Sequence, residues 1–278
     1  MTAQTSRIVR SGNIGASFNR LAATTSTLAL LALVFAPSPG RAQTVTTAGD
    51  VQDGLGPVTP GSQANPWNPN TYVSVGKFDI GTLDIEDGAS VTSGFAYIGE
   101  SDDGVGTATV DGAASTWTVN GALRIGVRGK GTLNITNGGS VISGSAYIGN
   151  SNSLPAKTNT VNVEGVGSTW TIDGNLFVGG DDYGIGVLNI TNGGSVSSTT
   201  GRIGCKGWGT ATVTGTDSIW TIRAETNGTP VWADDALIIG FQTPGTLTIA
   251  DGGEVDVTGG IQIAPDTGGI GTLKLNGT

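Results

Sequence analysis

GTLNITNGGSV, residues 131–141, is the stretch on which the fold turns. Leu133 and Ile135 flank Asn134, and apolar residues at period two mark a strand with one buried face. Asn137-Gly138-Gly139 follows at once and supplies residues that tolerate positive φ, as a tight corner requires. The string recurs as GTLDIEDGASV at 81, GVLNITNGGSV at 186 and GTLTIADGGEV at 245. Between these copies lies a sister string: GTATVDGAASTWTV at 106, NTVNVEGVGSTWTI at 159 and GTATVTGTDSIWTI at 209. A further copy, GTLKLNGT, opens at 271.

The eight starts are spaced by 25, 25, 28, 27, 23, 36 and 26 residues. A period of this size, held over seven intervals, specifies a solenoid rather than a globular core. The inward pairs repeat as Leu83/Ile85, Ala108/Val110, Val161/Val163, Leu188/Ile190, Ala211/Val213, Leu247/Ile249 and Leu273/Leu275. A second short strand closes each unit at Ile98-Gly99, Ile125-Gly126, Ile148-Gly149, Val178-Gly179, Ile203-Gly204 or Ile239-Gly240. After residue 42 no segment has a helical period. The expected fold is all-β: a right-handed parallel β-helix (β-solenoid) of about 25 residues per coil, its hand taken from the chirality of parallel crossovers. Seven coils at the spacing of neighbouring strands would rise about 34 Å.

Side-chain volume supports the stacking. Units with a small first inward residue carry a tryptophan nine positions later: Ala108 with Trp117, Val161 with Trp170, Ala211 with Trp220. Units with leucine there carry valine: Leu83 with Val91, Leu133 with Val141, Leu188 with Val196. Interiors hold near-constant density, so these tryptophans read as core. The rival is an outer aromatic strip for sugars.

Composition narrows the chemistry. Glycine supplies 48 of 278 residues, far above the usual share of roughly 7%. There is no histidine, which closes imidazole-based hydrolysis and histidine-ligated metals. The single cysteine, Cys205, excludes an intrachain disulfide and reads as an incidental thiol beside Lys206. Four of the 13 bases and no acid lie in residues 1–42, so the remainder holds nine bases against 22 acids, a net −13. Such a surface repels phosphate backbones, and nucleic acid is not an expected partner.

Residues 1–42 read as an export signal. Arg7, Arg10 and Arg20 precede an apolar run from Leu28 to Phe35; Pro37 and Pro39 break it, and Gly40-Arg41-Ala42 offers a small-residue cleavage site. The run is too short to span a bilayer. Residues 43–71 read as an N-terminal linker or cap, and 72–278 as the repeat region.

The paired strings GTLNITNGGSV…AYIG and GSTWTI…LFVG closely resemble the glycine-rich repeat of autotransporter (type V secretion) passengers, also found in some PEP-CTERM-type surface proteins. The resemblance covers about residues 72 to 278. It implies export, a β-helical passenger, placement at the cell surface or outer membrane of a Gram-negative cell or release from it, and normally a C-terminal translocator β-barrel. No barrel lies within these 278 residues, and the sequence stops inside a repeat, which reads as a fragment.

Chemistry has few candidates. Asp102-Asp103, Asp181-Asp182 and Asp234-Asp235 sit near turns that could offer oxygens to calcium, but adjacent acids on a strand point to opposite faces. Solvated carboxylates are the expectation, with no cofactor and no metal. A polysaccharide lyase or glycosidase needs acids converging in a groove that breaks the repeat. Instead Asp84, Thr109, Asn134, Asn162, Asn189 and Thr212 form one repeating outward ladder, and Lys77, Arg124, Arg128, Lys130, Arg202 and Lys206 read as scattered or turn-adjacent. Asn134, Asn189 and Asn227 match glycosylation acceptor triplets. Two places break the period: 150–158, and the insertion Arg223 to Asp235, whose Trp232, Asp234 and Asp235 form the candidate ligand-contact loop. The expected role is a structural passenger, a stalk or an adhesive surface for host cells or glycans. The alternatives are a polysaccharide-active β-helix enzyme and a surface protein anchored by another sorting system.

Overall fold

A computed structural model describes residues 42–150, 154–180, 183–223 and 236–276, together with the backbone of 5–8. Among these residues there is no helix; three parallel sheets form the walls of a β-solenoid. The first wall stacks Ile80–Glu86, Val105–Asp111, Lys130–Thr136, Thr158–Glu164, Ile185–Thr191, Trp208–Thr214, Pro244–Ala250 and Ile270–Asn276. Every pair is parallel, and the register sets motif on motif: Leu83 lies beside Ala108, Ala108 beside Leu133, Leu133 beside Val161. The eight strands bound about seven turns.

The second wall runs from Ser90–Ser93 to Glu254–Thr258, and the third from Tyr72–Val75 to Ile261–Ile263. Alternation decides what they bury. Leu133 and Ile135 on the first wall, Val141 on the second and Ile148 on the third are fully buried. Each corner demands its own residue type. Asn137 and Gly138 take φ of 52° and 90°, the left-handed region open to asparagine and glycine. Gly139 answers a different need: a Cβ there would stand 2.2 Å from the carbonyl oxygen of Val110 in the coil below.

One strand lacks the opening glycine. Asn159 stands there, fully buried, where the coil carries the 150–158 irregularity. Its Oδ1 accepts the Gly131 N–H at 2.7 Å and its Nδ2 donates to the Lys157 carbonyl at 3.0 Å, so the amide satisfies backbone groups at the widened corner.

The N-terminal end reverses direction. Thr44–Gly49 lies antiparallel on Ile80–Glu86, and Val51–Asp53 antiparallel on Tyr72–Val75. Asp50 ties this layer to the first corner by accepting the backbone N–H groups of Phe78 and Asp79. Of the segment read as an export signal, Thr5–Ile8 is described as a strand antiparallel to Glu254–Thr258; nearly all of the rest lies outside the described residues.

Trp117, Trp170 and Trp220 are fully buried on the second wall, which disposes of an outer strip made from these three rings. They share one file but do not adjoin, because Val141 and Val196 lie between them in register. Space for the rings comes from the coil beneath as well as from the facing wall. A Cβ on Gly201 would come within 2.7 Å of the Trp220 ring, and the matching third-wall residues two and four coils earlier are Ala146 and Ala96. Each indole also finds an acceptor: Nε1 of Trp117, Trp170 and Trp220 donates to Oγ of Ser93, Ser143 and Ser198, at 3.3, 3.2 and 3.1 Å.

Candidate functional site

Outward positions repeat as faithfully as inward ones, so each wall presents a ladder. On the first wall Asp84, Thr109, Asn134, Asn162, Asn189 and Thr212 fall in register. The ladder bonds along itself: Asn162 Nδ2 donates to Asn134 Oδ1 and Asn189 Nδ2 to Asn162 Oδ1, both at 2.9 Å. Two of the glycosylation-type asparagines, Asn134 and Asn189, are thus strand residues inside this amide ladder; Asn227 lies outside the described residues. Asp84 opens the row, and partial burial raises its pKa while a hydrogen bond with the Thr109 side chain works the other way.

The third wall corrects the reading of the bases as scattered. Tyr97, Arg124, Tyr147, Phe177 and Arg202 occupy one outward position in five successive coils. Arg124 lies over Tyr147 at 5.1 Å and over Tyr97 at 5.9 Å, Tyr147 stacks on Phe177 at 4.9 Å, and Arg202 lies over Phe177 at 5.7 Å. Tyr72 meets Tyr97 edge-on. Sequence reading missed the strip because arginine and tyrosine share no type, yet aligning the residue before each Ile-Gly or Val-Gly pair exposes it. The Tyr147 and Phe177 faces are turned to neighbours along the axis, so the strip is chiefly a stabilising ladder; each cation–π contact at such a surface contributes about 0.5–1 kcal/mol.

The corner leading from the third wall back to the first is different. Trp208 and Ile185 are register partners at the opening of first-wall strands, a place held elsewhere by Ile80, Val105, Lys130 and Thr158. Trp208 is 60% exposed, and Tyr183 and Leu154 on neighbouring turns are exposed as well. With Ala156, Ile185, Lys206 and Thr243 they line a groove of about 390 Å³. Thr243 is fixed by donating its hydroxyl to the Gly207 carbonyl at 2.7 Å. Neither Trp208 nor Tyr183 stands out in a search for catalytic motifs; the signal is a large aromatic residue at an outward corner position.

The residues singled out from sequence fare unevenly. The loop of Trp232, Asp234 and Asp235 lies outside the described residues, as does Asp181-Asp182. Asp102 and Asp103 are exposed at a turn, where the Asp102 carbonyl accepts the Lys157 ammonium. Cys205 is buried under the groove corner. Among the described residues no three Asp, Glu or Cys side chains gather to hold a metal ion.

No family model matches the chain, and no curated protein is similar enough to count as a relative. Among solved structures, the TibC-catalyzed hyper-glycosylated TibA55-350 fragment is similar at 16% identity, over 76% of this chain and 84% of that one, with a TM-score of 0.23.

Proposed function

We propose that the chain is an exported, surface-associated β-solenoid of the autotransporter-passenger kind, acting as a stalk or adhesive surface rather than as an enzyme. The observation that carries this reading is the unbroken parallel register of eight first-wall strands, whose outward residues repeat coil after coil. A repeated surface favours extended, multivalent contact, whereas catalysis needs a local departure from the period. The leader-like composition of residues 1–42 and the repeat resemblance add export to the reading.

Export is tested by fusing alkaline phosphatase, active only outside the reducing cytoplasm, after Thr278 in a Gram-negative host. Phosphatase activity that disappears when residues 2–42 are deleted is expected. Activity that survives the deletion, or none with the leader in place, overturns export. Release of reducing or unsaturated ends from a panel of polysaccharides by the purified chain overturns the non-enzymatic role.

A further inference from the structure

We propose that the corner groove at Tyr183 and Trp208 is a cleft for a carboxylate-bearing polysaccharide, its sugar rings lying on the two aromatic rings and its carboxylates meeting the bases of the same corner. The inference rests on the adhesive reading above and names the ligand class for it. The groove volume, about 390 Å³, falls within the range of small-ligand clefts. Trp208 and Tyr183 are 60% and 63% exposed, and the scaffold does not require them: isoleucine, valine, lysine and threonine serve at the place Trp208 occupies. Exposed aromatic rings beside a cavity are the usual anchors of binding energy.

Charge selects the ligand. Of the nine bases in residues 43–278, Arg128, Lys130, Lys157 and Lys206 all fall on this corner within four successive coils. Lys157 knits two of its turns together, donating to the carbonyls of Asp102 and Arg128. Lys206 lines the groove itself. Residues 43–278 carry net −13, yet this corner from Arg128 to Lys206 sets its four bases against two acids, Asp181 and Asp182, a net +2 that attracts a polyanion where the rest of the surface repels one. One coil below Arg128 the same corner carries exposed Asp102 and Asp103, so the attraction is confined to the coils from Arg128 to Lys206; the side chains of Asp181 and Asp182 lie outside the described residues.

Spacing selects a glycan over a peptide. Coils repeat at about 4.8 Å, comparable to the advance per residue of an extended glycan, whereas an extended peptide advances about 3.3 Å per residue and drifts out of step. One sugar per coil would bring successive carboxylates past the row of Lys130, Thr158, Ile185 and Trp208.

The test is calorimetric titration of the full chain with sodium polygalacturonate, with methyl-esterified polygalacturonate and dextran as comparators. Expected is binding to polygalacturonate that weakens about tenfold or more in Trp208→Ala. In Lys130→Gln/Lys206→Gln it should weaken and lose most of its salt dependence. Tyr183→Ala, at an exposed turn, gives an independent reading should Trp208→Ala disturb the coil, and circular dichroism checks each variant. Equal binding of dextran and polygalacturonate, or binding unchanged in both aromatic variants, overturns the site. A displayed chain that ignores polygalacturonate overturns this site alone; a chain that binds it yet is never exported overturns the passenger reading alone.

Discussion

Two kinds of junction hold this solenoid together, and they differ in where their polar groups lie. Where a tryptophan coil sits on a leucine coil, the seal is internal. The indole of Trp170 donates to buried Ser143, and the Gly138 N–H donates to the buried hydroxyl of Ser168 at 3.0 Å. The same two bonds recur with Ser93, Gly88 and Ser115, and again with Ser198, Gly193 and Ser218. Where a leucine coil sits on a tryptophan coil, the clamp is at the surface. Asp111 accepts from Thr136 Oγ1 and Asn137 Nδ2, both at 2.6 Å, and Glu164 accepts from Asn192 at 3.0 Å. In the coil below Leu273, Val257 takes the serine position. The structural unit is therefore a pair of coils with a buried, directional seam, and pairs are joined by wet seams clamped at the surface, while the outward amide ladder crosses both kinds of junction.

That comparison is broken most directly at the buried seam. Trp170→Ala should cost about 3–5 kcal/mol, since it removes a fully buried ring from a tightly packed file. Stacked repeats can open locally, so hydrogen exchange at the amides of 140–143 and 169–172 is the sharper readout beside a urea melt. Full protection retained across both strands would refute the seam. Ser143→Ala is expected to cost less, about 1–3 kcal/mol, by leaving the Trp170 N–H buried without an acceptor. If Trp170→Phe restores the Ser143→Ala double variant to the level of Trp170→Phe alone, the hydrogen bond is the source of the loss.

The wet seam should yield less. Asp111→Ala removes bonds reached by water and is expected to cost about 1 kcal/mol or less, a loss that a denaturant midpoint can resolve. A loss equal to that of Trp170→Ala would erase the distinction between seams.

The smallest effects come from two acids at the N-terminal end, with opposite signs. Burial raises the Asp84 pKa, against the weaker pull of Thr109, so the folded chain favours the protonated acid and loses stability as pH climbs through the raised value. Asp84→Asn should melt higher than the parent at neutral pH, and the gain should vanish below about pH 3, under the ordinary carboxylate range. At Asp50 burial also raises the pKa, but hydrogen bonds from Phe78, Gln52, Asp79 and Lys77 outweigh it and hold the group below its ordinary value. Its contribution is present above the ordinary carboxylate range and is lost as pH falls through the lowered value. Asp50→Asn should therefore melt lower at neutral pH and match the parent in acid. Melting curves that shift in the same direction for both variants would contradict this pairing.

Much of the scaffold was legible in particular residues. Leu133, Asn134 and Ile135 announce a strand with one dry face because side chains alternate by local geometry, whatever lies above or below. Asn137-Gly138-Gly139 announces the corner, since backbone sterics at those residues are local too. Volume alone was enough to send Trp117, Trp170 and Trp220 inward. The partners were not legible. Ser143 and Trp170 are 27 residues apart, Tyr147 and Phe177 are 30, and which residues meet depends on how far each corner loop delays the next strand. The cap direction, the aromatic–arginine strip, the two seams and the Trp208 corner all live in that coil-to-coil register. Sequence by itself set the strands, the corners and the buried faces, because steric and hydrophobic rules act within a few residues; tertiary structure alone chose neighbours across coils, because only stacking brings residues that distant into contact.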